Sequence, residues 1–358
     1  MVASTAGHDG RRANKNATVS KKPGFAKQTR GNTSLTQEVR THYLHAIREK
    51  YRVKGFSIKA IDFIVKSWRK STLNQYLVYA KLWFNFSRQG LTPTVRNIVE
   101  FLVHLHSKGY NHKQIRQARS AVGVLSNVDN IGKHPDIKRV MKGMFEEKPQ
   151  FPIYTSIWSV KLLFDYFRSL DHQQQLPLDV LTKKLAILIG ILAGGQRCQT
   201  IHTIKATDIV VTSEKCIIPI YDPIKQSRDG KHMKPLEFKV FSEQKLCVIQ
   251  NLSTYLERTR PYRTAAPLFL SYQKPYHPVS KDTVTRWVND VMSKAGIDVS
   301  RYVTHSCRAA ASSFAQSKKV PLKKILDSCG WSAETTFAKH YNKKIGDDRT
   351  IGEELLQF

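Results

Sequence analysis

His305-Ser306-Cys307-Arg308, followed by Gly330-Trp331-Ser332 and then Tyr341, is the stretch that decides how this chain reads. It sets an imidazole and a guanidinium, both suited to clamping phosphate, upstream of a phenol able to act as a nucleophile. At i and i+3 on a helix, His305 and Arg308 project from one face and reach one ligand. The run Ala309-Ala310-Ala311 and Phe314 favours helix and close packing. A lone His-x-x-Arg is weak, because basic proteins contain it by chance as an exposed pair on a solvated face. Its weight comes from what surrounds it.

The surroundings are cationic. The 358 residues hold 58 Lys and Arg against 28 Asp and Glu, a formal charge of +30, while 41% hydrophobic and 24% charged content are ordinary for a folded protein. Such a surplus drives affinity for phosphate backbones through counterion release without specifying a sequence. An anionic membrane surface or a ribosomal site is the other class of partner that charge allows. The five cysteines are Cys198, Cys216, Cys247, Cys307 and Cys329. They form no CxxC pair and are odd in number, which argues against a disulfide framework or structural zinc and for a reducing compartment. No signal-peptide pattern opens the chain, and the longest apolar run, Leu185 to Gly195, is too short to cross a bilayer. A soluble intracellular protein with no membrane partner and no bound metal is expected.

Length predicts two domains. Residues 1–35 are rich in Gly, Ser, Thr, Asn and basic residues without hydrophobic period, and read as a disordered basic arm. Its Arg11-Arg12 and Lys21-Lys22 pairs fit either a nuclear-import signal or a solvated tail. Residues 36–145 read as helix throughout: Leu73, Tyr76, Leu77, Ala80 and Phe84 share one face, as do Val95, Ile98, Val99, Leu102 and Leu105. Gly90, Gly109 and Gly132 punctuate the segments. Lys113, Arg116 and Arg119 lie across from Ile115 and Ala118, giving a helical bundle with one cationic, DNA-binding face.

Two prolines make Glu146-Glu147-Lys148-Pro149-Gln150-Phe151-Pro152 the centre of a linker spanning 146–156. A second domain, 157–346, follows. Helices are predicted from Trp158 to Leu170, Leu178 to Ala193, near 243–258 and near 280–295. Between them Cys216 to Ile220 and Leu236 to Val240 read as strands flanking an Asp229-Gly230 hairpin signal. A tail, 347–358, closes the chain. The fold class is mainly α: a helical domain plus a mixed α+β domain with a small antiparallel sheet.

Further residues line up with His305 and Arg308. Gly195-Gln196-Arg197-Cys198-Gln199-Thr200 ends an apolar helix and leaves Arg197 at the core edge, where its charge needs a partner. The hairpin carries Lys225, with Lys231 and Lys234 as alternatives. The order Arg, hairpin Lys, His-x-x-Arg, Trp, Tyr resembles the catalytic domain of tyrosine recombinases, the phage-type integrases. The wording GQRCQT, HSCRAAASSFA and GWSAETTFAKHY is most similar to recombinases of eukaryotic mobile elements of the DIRS and Crypton kinds. The resemblance is strongest over 154–345 and only positional over 36–145, the family's core-binding domain.

The resemblance implies roles. Arg197 and Arg308 bracket the scissile phosphate, since guanidinium forks stay charged and bond bidentately. His305 donates to the same oxygens or assists proton transfer. Lys225 protonates the departing 5′ oxygen, the indole of Trp331 donates, and Tyr341 attacks phosphorus to give a covalent 3′-phosphotyrosine. No cofactor is implied, and the sequence offers neither a P-loop nor an acidic metal cluster. The partner implied is double-stranded DNA, bound by a homotetramer across two paired sites, with a nuclear location. Leu355, Leu356 and Phe358 in the tail suit docking onto a neighbouring protomer. Thr200 departs from the pattern, standing where many members carry an acid. Tyr341, one turn after Phe337, also reads as a core aromatic, and Cys198, Cys307 and Cys329 read as small buried apolar residues. A catalytically idle, domesticated DNA-binding protein and a type IB topoisomerase-like relaxing enzyme are the alternatives. Capture of a Tyr341 adduct separates the first from an enzyme, and two-site products separate the second from a recombinase.

Overall fold

The computed structural model describes residues 32–87, 92–149, 154–230 and 232–346. The expectations for the arm up to residue 31, for Gly90, for Lys231 and for the tail lie outside the described residues. The chain divides into two compact units between residues 151 and 152. The first is helical: α1 (Asn32–Val53), α2 (Ile58–Lys66), α3 (Lys70–Ser87), α4 (Val95–Ser107), α5 (His112–Gly123) and α6 (Pro135–Glu147). Helix therefore begins at Asn32, inside the predicted arm.

Local chemistry sets these boundaries. Asn111 and Gln114 form a reciprocal capping box that starts α5. Thr94 accepts from the Asn97 amide to start α4, and Pro135 occupies the first turn of α6. After α4 the chain turns at Gly109 with φ +81, a conformation that suits glycine. Trp83, Ile98, Phe101, Leu102 and Ile115 are buried at the centre, each worth about 1.5–3 kcal/mol relative to exposure. The Tyr43 hydroxyl donates to the Ala121 carbonyl at 2.8 Å, tying α1 to α5.

The second unit runs β1 (Ser156–Ile157), α7 (Lys161–Ser169), α8 (Leu178–Leu192), α9 (Cys198–His202), β2 (Val210–Val211), β3 (Lys215–Ile218) and β4 (Leu236–Lys239). It continues with α10 (Val248–Thr259), α11 (Lys281–Lys294), α12 (Ser306–Ser317), α13 (Leu322–Cys329), α14 (Glu334–His340) and β5 (Lys344–Ile345). Strands β2, β3 and β4 form an antiparallel sheet with Cys216 opposite Phe238 and Ile218 opposite Leu236. Those four side chains face the core while Glu237 and Lys239 face water, the alternation expected of a sheet covered on one face. Helix α8 supplies the centre of the core with Leu185, Ala186, Leu188 and Ile189. Among the described residues no helix is long and apolar enough to cross a membrane.

Three sequence expectations need correction. Helix does not begin at Trp158 but at Lys161, because Ser156 and Ile157 pair in parallel with Lys344 and Ile345. The strands that flank Asp229-Gly230 do pair antiparallel, as the hairpin signal predicts, but they are shorter than expected, pairing stopping at Ile218 and Leu236. A short connection lies between β2 and β3, where Thr212 Oγ1 accepts from the Glu214 and Lys215 amides, and β2 was not anticipated. The helix near 243–258 is interrupted: a 3-10 turn at Gln244–Leu246 precedes α10.

Candidate active site

Arg308 is the centre of the site. It lies in the first turn of α12 and is 1% exposed, an enclosure that a guanidinium tolerates only with fixed hydrogen-bond acceptors around it. Its Nη1 donates to the Gly195 carbonyl at 3.2 Å and its Nη2 to the Cys329 carbonyl. Burial, and after it the positive charge of Arg197, pulls its pKa down to about 10, with Cys329 and Tyr341 pulling back. At neutral pH it keeps its proton.

Gly195 explains how the loop after α8 reaches Arg308. At φ +76 it sits in the left-handed region, and a Cβ there would lie 2.5 Å from the Arg308 Cα. Only glycine allows that approach. The two residues after it lead to Arg197, which precedes α9 and is half-buried. Among the described residues, Arg197 Nη1 and Arg308 Nε are buried N–H groups with no hydrogen-bond partner. Buried donors are ordinarily paired; Arg119 Nε and Arg263 Nε share this condition elsewhere, but here two such guanidinium groups both act on His305.

His305 caps the start of α12 rather than lying within it, with helical φ and ψ, so the i, i+3 relation to Arg308 survives. Its Nε2 stands 3.1 Å from the Tyr341 hydroxyl. The residue is exposed, although its ring stands against that of Tyr341, with centroids 5.9 Å apart. Burial, then Arg197, Arg308 and Lys225, push its pKa down to about 4. The imidazole is therefore neutral around pH 7. Lys225, in a turn of the segment that links β3 and β4, is the third cation whose charge reaches His305. Lys225 is itself exposed. Lys234 is engaged elsewhere, 2.9 Å from Asp327 Oδ2.

Trp331 and Tyr341 complete the cluster. Gly330 ends α13 at φ +67, turning Trp331 inward to 8% exposure. Its ring stacks on Tyr341 at 4.4 Å and 27°. The Arg308 guanidinium lies 4.7 Å from the Trp331 ring centre and 5.8 Å from that of Tyr341, within cation–π range. Tyr341 follows α14, half-buried. It packs against the core, as the plainer reading had it, and its hydroxyl also faces the polar group.

Arg197, Lys225, His305, Arg308, Trp331 and Tyr341 thus share one neighbourhood in the second unit. Lys113, Arg116 and Arg119 do not: they lie on α5 of the first unit. Lys113 and Arg116 are exposed, whereas Arg119 is half-buried, lies against Gly132, and has its pKa lowered by burial and then by Arg116. Thr200, where an acid was sought, is 1% exposed on α9, and its Oγ1 has no partner among the described residues. No group of three or more His, Cys, Asp or Glu able to hold a metal occurs among the described residues.

Sequence reading missed several supports. Trp158 Nε1 donates to Ser306 Oγ at 2.8 Å, both buried, fixing the start of α12 to the segment after β1. Gln196 Nε2 donates to the Ala193 and Ser328 carbonyls, closing the α8 loop onto α13. The Gly194-Gly195 pair after an apolar helix was the one visible hint of a close approach.

No protein-family model matches the chain, and no curated protein does. Solved structures do. The chain is similar to XerH site-specific recombinase bound to difH substrate in a pre-cleavage complex, with 14% identity over 90% of this chain and 96% of that one and a TM-score of 0.57. It is also similar to the Tn1549 transposon integrase in complex with circular intermediate DNA, at 10% identity over 88% and 98%, TM-score 0.53. A lambda integrase dimer bound to a COC′ core site matches at 13% identity over 91% and 85%, TM-score 0.50. The fold is that of the tyrosine recombinases and integrases.

Proposed function

We propose that this chain is a tyrosine recombinase, cutting and rejoining double-stranded DNA in site-specific recombination or integration through a covalent 3′-phosphotyrosine. The observation that carries the reading is the Tyr341 hydroxyl 3.1 Å from a neutral His305, beside two guanidinium groups that each hold a buried N–H without a partner among the described residues. The DNA bound in the three similar structures supports the same substrate class. Kinship with DIRS and Crypton recombinases rests on the wording of GQRCQT, HSCRAAASSFA and GWSAETTFAKHY alone.

The chemistry balances with side chains alone. Arg197 and Arg308 hold the non-bridging oxygens and stabilise the extra charge of the pentacoordinate transition state. Tyr341 attacks phosphorus, its proton passing to His305 Nε2, 3.1 Å from the hydroxyl, as the bound phosphate offsets the arginine charges that lower the basicity of the ring. The P–O5′ bond breaks and Lys225 protonates the departing oxygen. A phosphotyrosine remains on the 3′ side, and a 5′ hydroxyl from the same or another strand reverses the step. Trp331 holds the phenol by stacking. The exposed cations of α5 add non-specific affinity for the backbone, and a homotetramer pairs two DNA sites.

The test uses a pool of nicked duplexes of randomised sequence, in which cleavage releases a short fragment and traps the protein. Wild type is expected to yield a denaturant-resistant adduct and Tyr341→Phe none, with equal DNA binding. Binding without any adduct in wild type rejects the enzyme. An adduct that never yields a two-site product indicates a relaxing enzyme instead.

A further inference from the structure

Ser313 lies five residues beyond Arg308 on α12 and is 3% exposed. In a helix reading Ala309-Ala310-Ala311-Ser312-Ser313 it passes for a small packing residue. Its hydroxyl does more than fill space. Oγ donates to the Tyr341 carbonyl at 2.6 Å and accepts from the Lys343 amide at 3.0 Å. Ser312, its neighbour, only bonds back to its own helix at the Arg308 carbonyl.

The two groups Ser313 satisfies belong to the segment between α14 and β5, where regular structure supplies no partner. A buried carbonyl or amide left unpaired costs about 1–3 kcal/mol. The Tyr341 amide is held from the other side by the Phe337 carbonyl at 2.8 Å. Further along, Lys344 pairs with Ser156, and the Gly346 amide donates to the Ile157 carbonyl at 2.9 Å. The main chain of the tyrosine is thus held at its amide and its carbonyl, and the segment after it is anchored at β5. Ser313 supplies the hydroxyl that hydrogen-bonds this main chain to the helix that carries Arg308.

We propose that Ser313 is a positioning residue for the nucleophile: its hydroxyl clasps the main chain at Tyr341 and Lys343 and keeps the phenol in register with Arg308 and His305. This rests on the nucleophilic role of Tyr341 proposed above. The clasp acts on the step in which the phenol attacks or departs, and leaves affinity for DNA alone. A displacement near 1 Å costs on the order of 100-fold in rate.

The experiment compares wild type, Ser313→Ala and Ser313→Thr, the last keeping the hydroxyl. Single-turnover adduct formation is measured at saturating nicked duplex, the Kd for the same duplex by anisotropy, and hydrogen exchange over residues 338–345. Ser313→Ala is expected to slow adduct formation about 10–100-fold with Kd within about twofold. Exchange at the Lys343 amide rises about tenfold or more, since its acceptor is gone. Ser313→Thr restores both. Unchanged exchange in Ser313→Ala overturns the clasp, and so does an unchanged rate, or a rate loss matched by an equal loss of affinity. If wild type forms no adduct, the recombinase reading fails, and the exchange measurement still decides whether Ser313 holds the segment.

Discussion

Two helices place arginines in opposite circumstances. On α5, Arg116 stands in solvent with Lys113 one turn away. On α12, Arg308 is enclosed to 1% exposure and its two Nη groups are committed to main-chain carbonyls. Exposed cations are mobile and screened by salt, so they attract a polyanion without fixing any of its atoms. An enclosed and anchored guanidinium is already ordered by folding, and presents its remaining N–H groups in fixed directions. The first arrangement suits affinity and the second suits chemistry on one phosphate.

Replacing the enclosed arginine tests that contrast most severely. Arg308→Ala is expected to lower adduct formation about 100–1,000-fold at saturating DNA. It also destabilises the fold by about 1–3 kcal/mol, because the Gly195 and Cys329 carbonyls lose their donor. Arg308→Lys does not recover the rate, since the single nitrogen of an ammonium cannot reproduce the fork in which two separate nitrogens meet the two carbonyls. Single-turnover kinetics and chemical denaturation measure the two effects separately. A rate loss no larger than that of an α5 substitution would erase the distinction between the regions.

The α5 cations are expected to show the converse. Lys113→Ala and Arg116→Ala should each weaken DNA binding severalfold and reduce the slope of log Kd against log salt by about 0.9 for each phosphate no longer neutralised. The adduct rate at saturating DNA stays that of wild type. Arg119→Ala weakens binding less and costs some stability, because Arg119 is half-buried against Gly132.

The smallest effect concerns pH. His305 has its folded-state pKa lowered to about 4 by burial and by Arg197, Arg308 and Lys225, against about 6.5 unfolded. The unfolded chain therefore binds the proton first on acidification. The stabilising contribution is fully present above pH of about 6.5 and is lost as pH falls toward about 4. His305→Gln should flatten the decline of Tm across that interval. An unaltered decline would show that the ring is not held neutral by its neighbours.

Much of this protein is legible without its fold. The hydrophobic spacing of α3, α4 and α11 is a local signal, and it places those helices to within a few residues. Prediction goes astray where distant segments meet. Nothing near Trp158 announces that Ser156 and Ile157 pair with Lys344 and Ile345, and the turn chemistry of Asp229-Gly230 could not reveal strands that part company at Ile218 and Leu236.

The candidate site divides in the same way. Residue types and their order were enough to nominate Arg197, Lys225, His305, Arg308, Trp331 and Tyr341 through their resemblance to the tyrosine recombinases, and phosphate chemistry gives the reason such side chains serve. The sequence alone also specified the cationic surplus and the mainly helical character, since charge and periodicity are additive along a chain. Only the tertiary structure decided that Lys225 rather than Lys234 shares the electrostatic surroundings of His305, that Arg308 commits two donors to carbonyls, and that a serine passing for packing grips the tyrosine's main chain. Those are matters of which groups from distant segments folding brings together, and no local pattern encodes them.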